Sequence, residues 1–589
     1  MPERALFVVS DSESILERME PLLADLREEV EPLVVLRYAP SAQRLRALGY
    51  PTLLVSDVLN WEQLLPYTRA PREIFGSAVT PQSFDGVALE QVTTFDRRLA
   101  EMQRRPRQAR AVLVEAGEIV TRFLSLARFW QPRLVFVWNG YALPHSPIKA
   151  LAKQHGAFTL CAERGLVPDS MVMDTEGVNA GSYLCGPKWE EIAARPLDAE
   201  GEQIVADYRQ RHAAERRSVI AVGSATAGED LSRELGVPGG AKVILCPVQL
   251  DLDTNPILFS PHFPTNSDVA RALVEAGGGR DFYVLLKAHP EDMTDPSRYQ
   301  ELLGDAGRVV GKDVPLHSLM DLTDIVVTRN STVGFEGLLL GKPAVVLGRS
   351  IYSHKGFTRD VTDVGSLRQA LEAAATEGLT PEQDEVFRRF LAYFLRRYHY
   401  YVRPEGWQRE TNQRKLEFIR ASLLEARPEW GEATPGETSF WRGLLAVEDE
   451  LAQLGRRVSL RAAEGGEGPP QRILVVKTCP PGPLGRLVER LRRDLPEVSL
   501  SLVLRRPEEL PQAILGQFAA RYALSNPLQA AGVLARGWDV VIYCLNNVSV
   551  PPGPLFNFNR LVRAPTRLLA DDVGRLLVIG GSRPWAPTG

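Results

Sequence analysis

The feature that most limits what this chain can fold into is a recurring unit: a short apolar run that reads as a strand, followed by an amphipathic helical stretch. ALFVVS leads into SESILERMEPLLADLREE, and PLVVLRY and TLLVSDV repeat the strand signal. A long helical region over 93–130 precedes RLVFVWNG, a helix near 146–155 and the run AFTLCAERG. From about residue 200 the pattern restarts with AKVILCPVQ, DFYVLLKAHP, DIVVTRN and KPAVVLG. From 471 it restarts again with RILVVKT, VSLSLVLR, WDVVIYCLN and RLLVIG. Continuous apolar strands alternating with helices predict parallel sheets covered on both faces.

The segment 381–425 reads as helical and rich in aromatic residues, a tail of the kind that braces one lobe against another. Residues 428–470 carry Pro, Gly and Glu-rich ends around the amphipathic stretch WRGLLAVEDELAQLGRRV, which predicts a linker with one helix. The resulting division is 1–195, 196–427, a linker at 428–470, and a small α/β unit at 471–589.

Net charge is −4, with Lys and Arg nearly balancing Asp and Glu. That balance argues against bulk nucleic-acid binding, so an anionic ligand must be held by local groups. No apolar run reaches the roughly 18 residues of a membrane span. The opening MPERALFVVS lacks the pattern of a signal peptide. The five cysteines are dispersed and form no C-x-x-C, which predicts reduced core thiols rather than zinc or disulfides. The expectation is a cytoplasmic protein, with peripheral attachment at the inner face of the plasma membrane as an extension of it.

Four segments carry chemistry. In DIVVTRNSTVGFEGLLLGKPAVVLG a buried strand ends at Thr328, and Asn330, Ser331 and Thr332 stand where a helix begins. Free N–H groups and hydroxyls there suit a phosphate, Gly334 allows close approach, and Glu336 lies within reach of ribose hydroxyls. The bland alternative is that Ser331 is an ordinary N-cap. Lys287-Ala288-His289-Pro290 ends another strand, so His289 projects at the sheet edge where open α/β folds bind ligands. There it can donate to a phosphate or protonate a leaving group, though a lone histidine is more often structural.

Gln249-Leu250-Asp251-Leu252-Asp253-Thr254-Asn255 places two carboxylates after a strand. They can be a metal-binding D-x-D, a nucleophile or base, or an Asx turn. Finally, Glu163 ends a first-lobe strand, Asn139 ends another within Trp138-Asn139-Gly140, and Asp174 and Asn179 follow.

In this order the segments resemble capsule-polysaccharide biosynthesis proteins, in particular the retaining β-Kdo transferases, over roughly residues 130–360. The carriers are the W-N-G turn, E-x-G-x-x-P with G-V-N, Q-x-x-x-D, K-x-H-P, and N-S-T-V-G-F-E with G-K-P. The resemblance implies a two-lobed, GT-B-like transferase with two Rossmann-like domains, a deep cleft between them, and a CMP-activated acidic sugar as donor. It implies Asp253 as nucleophile, with Asp251 as the alternative, Glu163 as acceptor base and His289 as a catalytic partner. Lys287, His289, Asn330, Ser331, Thr332, Gly334 and Glu336 are expected to bind the nucleotide. Asn139, Gln249 and Asn179 are expected to bind the sugar or acceptor. No metal and no cofactor are expected. The acceptor is expected to be a glycolipid or polysaccharide, and residues 471–589 to contact other surface-glycan assembly proteins. A teichoic-acid-type polyol-phosphate transferase and an inactive carbohydrate-binding assembly protein are the alternatives.

Overall fold

A computed structural model gives the fold. It describes residues 2–10, 12–36, 39–54, 82–215, 228–279, 281–292, 294–439, 441–442 and 445. Beyond these it describes 472–477, 481–494, 498–504, 512–523, 533, 538, 540–544, 566–570 and 576–578. The amphipathic stretch and the Gly/Pro-rich run of the expected linker lie almost wholly outside the described residues.

The first lobe holds β1 (Glu3–Val8), β2 (Val30–Leu36), β3 (Thr52–Leu54), a small hairpin of β4 (Ser83–Phe84) and β5 (Val87–Ala88), β6 (Leu134–Trp138), β7 (Phe158–Arg164) and β8 (Ser170–Asp174). The second holds β9 (Lys242–Pro247), β10 (Phe282–Lys287), β11 (Gly307–Val310), β12 (Ile325–Thr328), β13 (Ala344–Val346) and β14 (Arg359–Asp360). β15 (His399–Tyr401) follows. The last unit holds β16 (Arg472–Lys477), β17 (Ser499–Leu504), β18 (Ala520–Ala523), β19 (Val540–Cys544), β20 (Thr566–Ala570) and β21 (Leu576–Val578).

The main sheets run β15-β8-β7-β6-β1-β2-β3, β11-β10-β9-β12-β13-β14 and β18-β17-β16-β19-β20-β21. Apart from the added β15, each has the doubly wound order in which the chain leaves one side of its first strand and returns on the other. The crevice at that reversal, beyond the strands' carboxyl ends, is where such sheets bind ligands. In the first lobe it lies between β1 and β6, and in the second between β9 and β12.

Three expectations need correction. The first and last sheets are not purely parallel: β8 pairs antiparallel with β7, β15 antiparallel with β8, and β21 antiparallel with β20. The region 381–425 is not one helical run. The helix Pro381–Tyr393 ends in a π-turn at Phe394–Tyr398, and β15 precedes the helix Trp407–Glu425. His399, Tyr400 and Tyr401 are buried; β15 pairs with β8, and the Asn412 side-chain amide meets both the N–H and the carbonyl of Tyr401, so sheet addition wins over helix propensity here. The tail therefore does return to the first lobe. The start of the presumed linker is docked rather than free. Trp430 Nε1 donates to the Pro132 carbonyl, and the fully buried Trp441 donates to Ser125 Oγ.

The cores follow the sheets. One cluster on the first lobe joins Val135, Val137 and Ile148 to Phe335, Leu338, Tyr352 and Phe390, so apolar packing runs continuously from lobe to lobe.

Candidate active site

Strand register brings the predicted residues together. Trp138 lies beside Ala162 in the parallel β6–β7 pair, so Asn139 and Glu163 leave their strands side by side. The W-N-G turn puts Asn139 at φ 62° and Gly140 at φ 83°, and the Asn139 N–H donates to the Ala162 carbonyl at 2.7 Å. A short-chain amide tolerates that left-handed backbone better than most residues. Asn139 Nδ2 then donates to Glu163 Oε2 at 2.7 Å, and the Arg164 N–H donates to Oε1 at 2.9 Å. Burial raises the Glu163 pKa above the ordinary carboxylate value. These two hydrogen bonds oppose the rise, and the neighbouring Asp253 charge adds to it.

In the second lobe Lys287 is level with Pro247, and β9 is flanked by β10 and β12. The segments leaving these three strands therefore share one edge. Beyond β9 the chain turns, with the Asp253 N–H donating to the Leu250 carbonyl at 3.0 Å. This turn separates the two acids. Asp251 Oδ1 pairs with the buried Arg329 at 2.7 Å and accepts from the Asn266 N–H at 3.0 Å. Burial raises the Asp251 pKa despite the opposing guanidinium. Asp253 is exposed and caps the helix Thr254–Phe259. Its Oδ1 accepts from Thr254 N–H at 2.6 Å and from Thr254 Oγ1 at 3.2 Å, bonds that do not use Oδ2.

A contact crosses from lobe to lobe at this point. Asn139 Nδ2 also donates to Thr254 Oγ1 at 3.4 Å. Glu163 and Asp253 are thus the ends of one hydrogen-bonded chain running through Asn139 and Thr254. Around it, Asn139 Oδ1, Asn179 Nδ2 and Asn255 Oδ1 are buried and meet no hydrogen-bond partner among the described residues. Buried amides are rarely left so. The turn Asn179–Gly181 packs against the helix Thr254–Phe259, so these open groups lie along one seam.

His289 is half-buried, and its Nδ1 accepts from the Glu291 N–H at 3.1 Å. That bond fixes the tautomer with the proton on Nε2. Burial lowers its pKa, against the pull of Glu291, Asp292 and Asp253, which favours the neutral ring. Ser331 caps the helix Thr332–Leu339 through Val333 N–H at 3.3 Å. Ser331 is therefore the N-cap of this helix. Thr332 follows it at the first turn, half-buried.

Other expected ligand residues are committed elsewhere. Gln249 Nε2 donates to Asn330 Oδ1 at 2.8 Å, and its Oε1 accepts from the Asn330 N–H at 3.1 Å. Asn330 Nδ2 donates to the Asn255 carbonyl at 3.0 Å. This bracket ties the β9 exit to the β12 exit. Lys287 Nζ donates to the Gly311 carbonyl at 2.6 Å, and burial lowers its pKa to about 8. At Gly334 a Cβ would lie 2.4 Å from Tyr352 Oη, so the glycine serves helix packing. Glu336, expected at a ribose, turns inward and is only 3% exposed, beside His212 and His317. Burial pulls His212 down to about 4, with His317 adding to the shift. Asp174 accepts from the N–H groups of Glu176, Gly177 and Tyr183 and from Ser182 Oγ and Tyr398 Oη, which shapes the loop carrying Asn179.

Arg329, Thr254 and Asn255 were missed as contributors. Arg329 stood in the strand-to-helix motif, and a full-length cation at a strand exit next to paired acids was the available signal. Its guanidinium donates to the Pro264 carbonyl at 2.9 Å and to Asn266 Oδ1 at 2.8 Å.

Residues 205–387 match the family model described as "Capsule polysaccharide biosynthesis protein". Protein FixF of Sinorhizobium fredii is 26% identical over 281 residues, which span 46% of this chain and 61% of that protein. The capsule polysaccharide export protein KpsS of Escherichia coli is 29% identical over 124 residues, 20% of this chain and 29% of that protein. The chain thus spans less than two thirds of the length of either relative. Among solved structures, the KpsC β-Kdo 2,7 transferase of Thermosulfurimonas dismutans aligns at 18% identity and a TM-score of 0.33, covering 49% of this chain and 85% of that one. Its β-Kdo 2,4 transferase aligns at 18% identity and a TM-score of 0.32, covering 49% and 92%. Among the described residues no helix is long and apolar enough to cross a membrane.

Proposed function

We propose, from the match of residues 205–387 to the family model of capsule polysaccharide biosynthesis proteins, that this chain is a retaining glycosyltransferase. It moves Kdo, or a similar acidic sugar, from a CMP-activated donor to a glycolipid or surface-polysaccharide acceptor. The observation that carries this reading is the pair of carboxylates from separate lobes, Glu163 and Asp253, joined through Asn139 and Thr254.

In the first step Asp253 Oδ2 attacks the anomeric carbon. The bond to the CMP phosphate breaks, and the phosphate oxygen keeps the electron pair. His289 Nε2–H and the helix N-terminus at Ser331 and Thr332 stabilise that developing charge. In the second step Glu163 takes the proton of the acceptor hydroxyl, whose oxygen attacks the same carbon and displaces the Asp253 carboxylate. Two inversions give net retention, the stereochemical logic of retaining glycosidases. A raised Glu163 pKa suits a base that works near neutral pH. Arg329 and Asp251 hold the loop that carries Asp253. The open Oδ1 atoms of Asn139 and Asn255 can accept from sugar hydroxyls, and the open Nδ2 of Asn179 can donate to a hydroxyl or to the sugar carboxylate.

The test is release of free nucleotide from a panel of donors, first without and then with acceptor. CMP released from CMP-Kdo, and transfer with retained configuration, support the reading. Turnover of a CDP-polyol alone assigns the polyol-phosphate chemistry instead. Turnover of none of the donors assigns a carbohydrate-binding or assembly role.

A further inference from the structure

Apart from the carboxylate pair, three side chains that the sequence keeps far apart meet inside the second lobe. His212 lies in the last turn of the helix Ala199–Glu215, and His317 in the first turn of the helix Leu316–Leu322. Glu336 lies in the helix Thr332–Leu339. All three are buried, and a ligand atom from each lies within 4.8 Å of the others. Tyr208, one turn before His212, stacks on its ring at a centroid distance of 6.3 Å and an angle of 19°. The His212 and His317 ring centroids are 5.5 Å apart. His212 is 7% exposed, and its Nε2 meets no hydrogen-bond partner among the described residues. A buried ring nitrogen in that state calls for an explanation, and beside a second imidazole and a carboxylate a bound ion supplies one.

We propose that His212, His317 and Glu336 form a binding site for one divalent cation of the zinc class. Two imidazoles and one carboxylate form a ligand set suited to zinc and its first-row neighbours. Calcium and magnesium call for sets made of oxygen, which these residues do not supply. Three protein ligands leave one coordination position for water or another donor. The ion ties the helix Ala199–Glu215 to two helices of the nucleotide-side lobe, and because it binds only the folded arrangement it stabilises that arrangement. Glu336 is then a metal ligand and not a ribose contact, and a metal joins a chain whose sequence reading expected none. The site stands independently of the transferase reading, since none of its ligands takes part in either displacement step.

The full-length chain, stripped with chelator, is titrated with Co2+ and Zn2+. The expected result is visible d–d absorption saturating at one Co2+ per chain, displacement by Zn2+, and a melting temperature that falls on stripping and returns on reloading. His212→Ala and the near-isosteric Glu336→Gln should each lose affinity by more than the roughly 10–100-fold typical of outer-shell changes. Neither variant should melt higher on reloading. Absence of d–d bands when the stripped protein is titrated with Co2+ overturns the proposal. So does unchanged Co2+ affinity in a folded Glu336→Gln chain, or a melting temperature indifferent to chelation.

Discussion

Replacing Asp251 by alanine separates the two acids that the sequence could not tell apart. Asp251 is a quarter exposed, but its partner Arg329 is only 1% exposed at the side chain. Removing the carboxylate leaves a buried guanidinium without its counter-charge, a change that typically costs roughly 3–5 kcal/mol. Arg329 keeps the Pro264 carbonyl and Asn266 Oδ1, so the expected loss is near the lower end, about 3 kcal/mol. That is on the order of 10² in the local opening equilibrium. Three α/β units need not unfold together, so a single global transition is the wrong readout. Hydrogen exchange on peptides covering 242–266 and 325–334 measures the opening directly. These amides should exchange about a hundredfold faster in Asp251→Ala, while those of β1 and β6 stay unchanged. Donor hydrolysis at low temperature should fall by no more than about tenfold, as expected for a residue that positions a loop. Unchanged exchange together with a loss of activity on the order of 10³ would refute this role and make Asp251 the reacting acid.

Three further outcomes follow from the geometry. Asn139→Ala removes a hydrogen bond that holds the Glu163 pKa down, so that pKa rises further; because the base must be deprotonated, the acid limb of the transfer–pH profile should move to higher pH, and an unmoved limb contradicts the assignment. His399 is fully buried with its pKa pulled down to about 3. Its unfolded value is near 6.5, so the unfolded chain binds the extra proton, and stability that is full above pH 6.5 is lost as pH falls toward 3. At pH 5 this amounts to about 2 kcal/mol, and His399→Phe should remove that part of the pH dependence of melting. A chain ending after Leu445 should keep donor hydrolysis, whereas one ending at Arg427 loses the buried Trp430 and Trp441 and should melt markedly lower. Equal melting of the two truncated chains would mean that these indoles hold nothing.

Much of the fold was legible because its strands are buried on both faces. ALFVVS, RLVFVWNG, AKVILCPVQ and DIVVTRN announce themselves as unbroken apolar runs. β14 has two residues and β15 three, too short to leave a period, and β15 takes its conformation from pairing with β8. The candidate site was legible where residues leave adjacent strands, since register alone brings Asn139 to Glu163. It was not legible where a turn or a helical angle decides direction. A strand running through both acids would put Asp251 and Asp253 on one face, but β9 ends at Pro247, and the turn closed by Leu250 sends the two acids to different partners. Glu336 looked reachable for a ribose by its distance in sequence from Ser331. Its helical angle directs it instead to two histidines from other helices, a meeting visible only in three dimensions.

The most direct test of the central claim is the intact mass of Glu163→Gln after incubation with CMP-Kdo. With the acceptor base removed, the first displacement should proceed and the second should stall. The account predicts one sugar adduct per chain, with peptide mapping to Asp253. An adduct on Asp251, or an unlabelled chain that still turns over donor and acceptor at the normal rate, would contradict it.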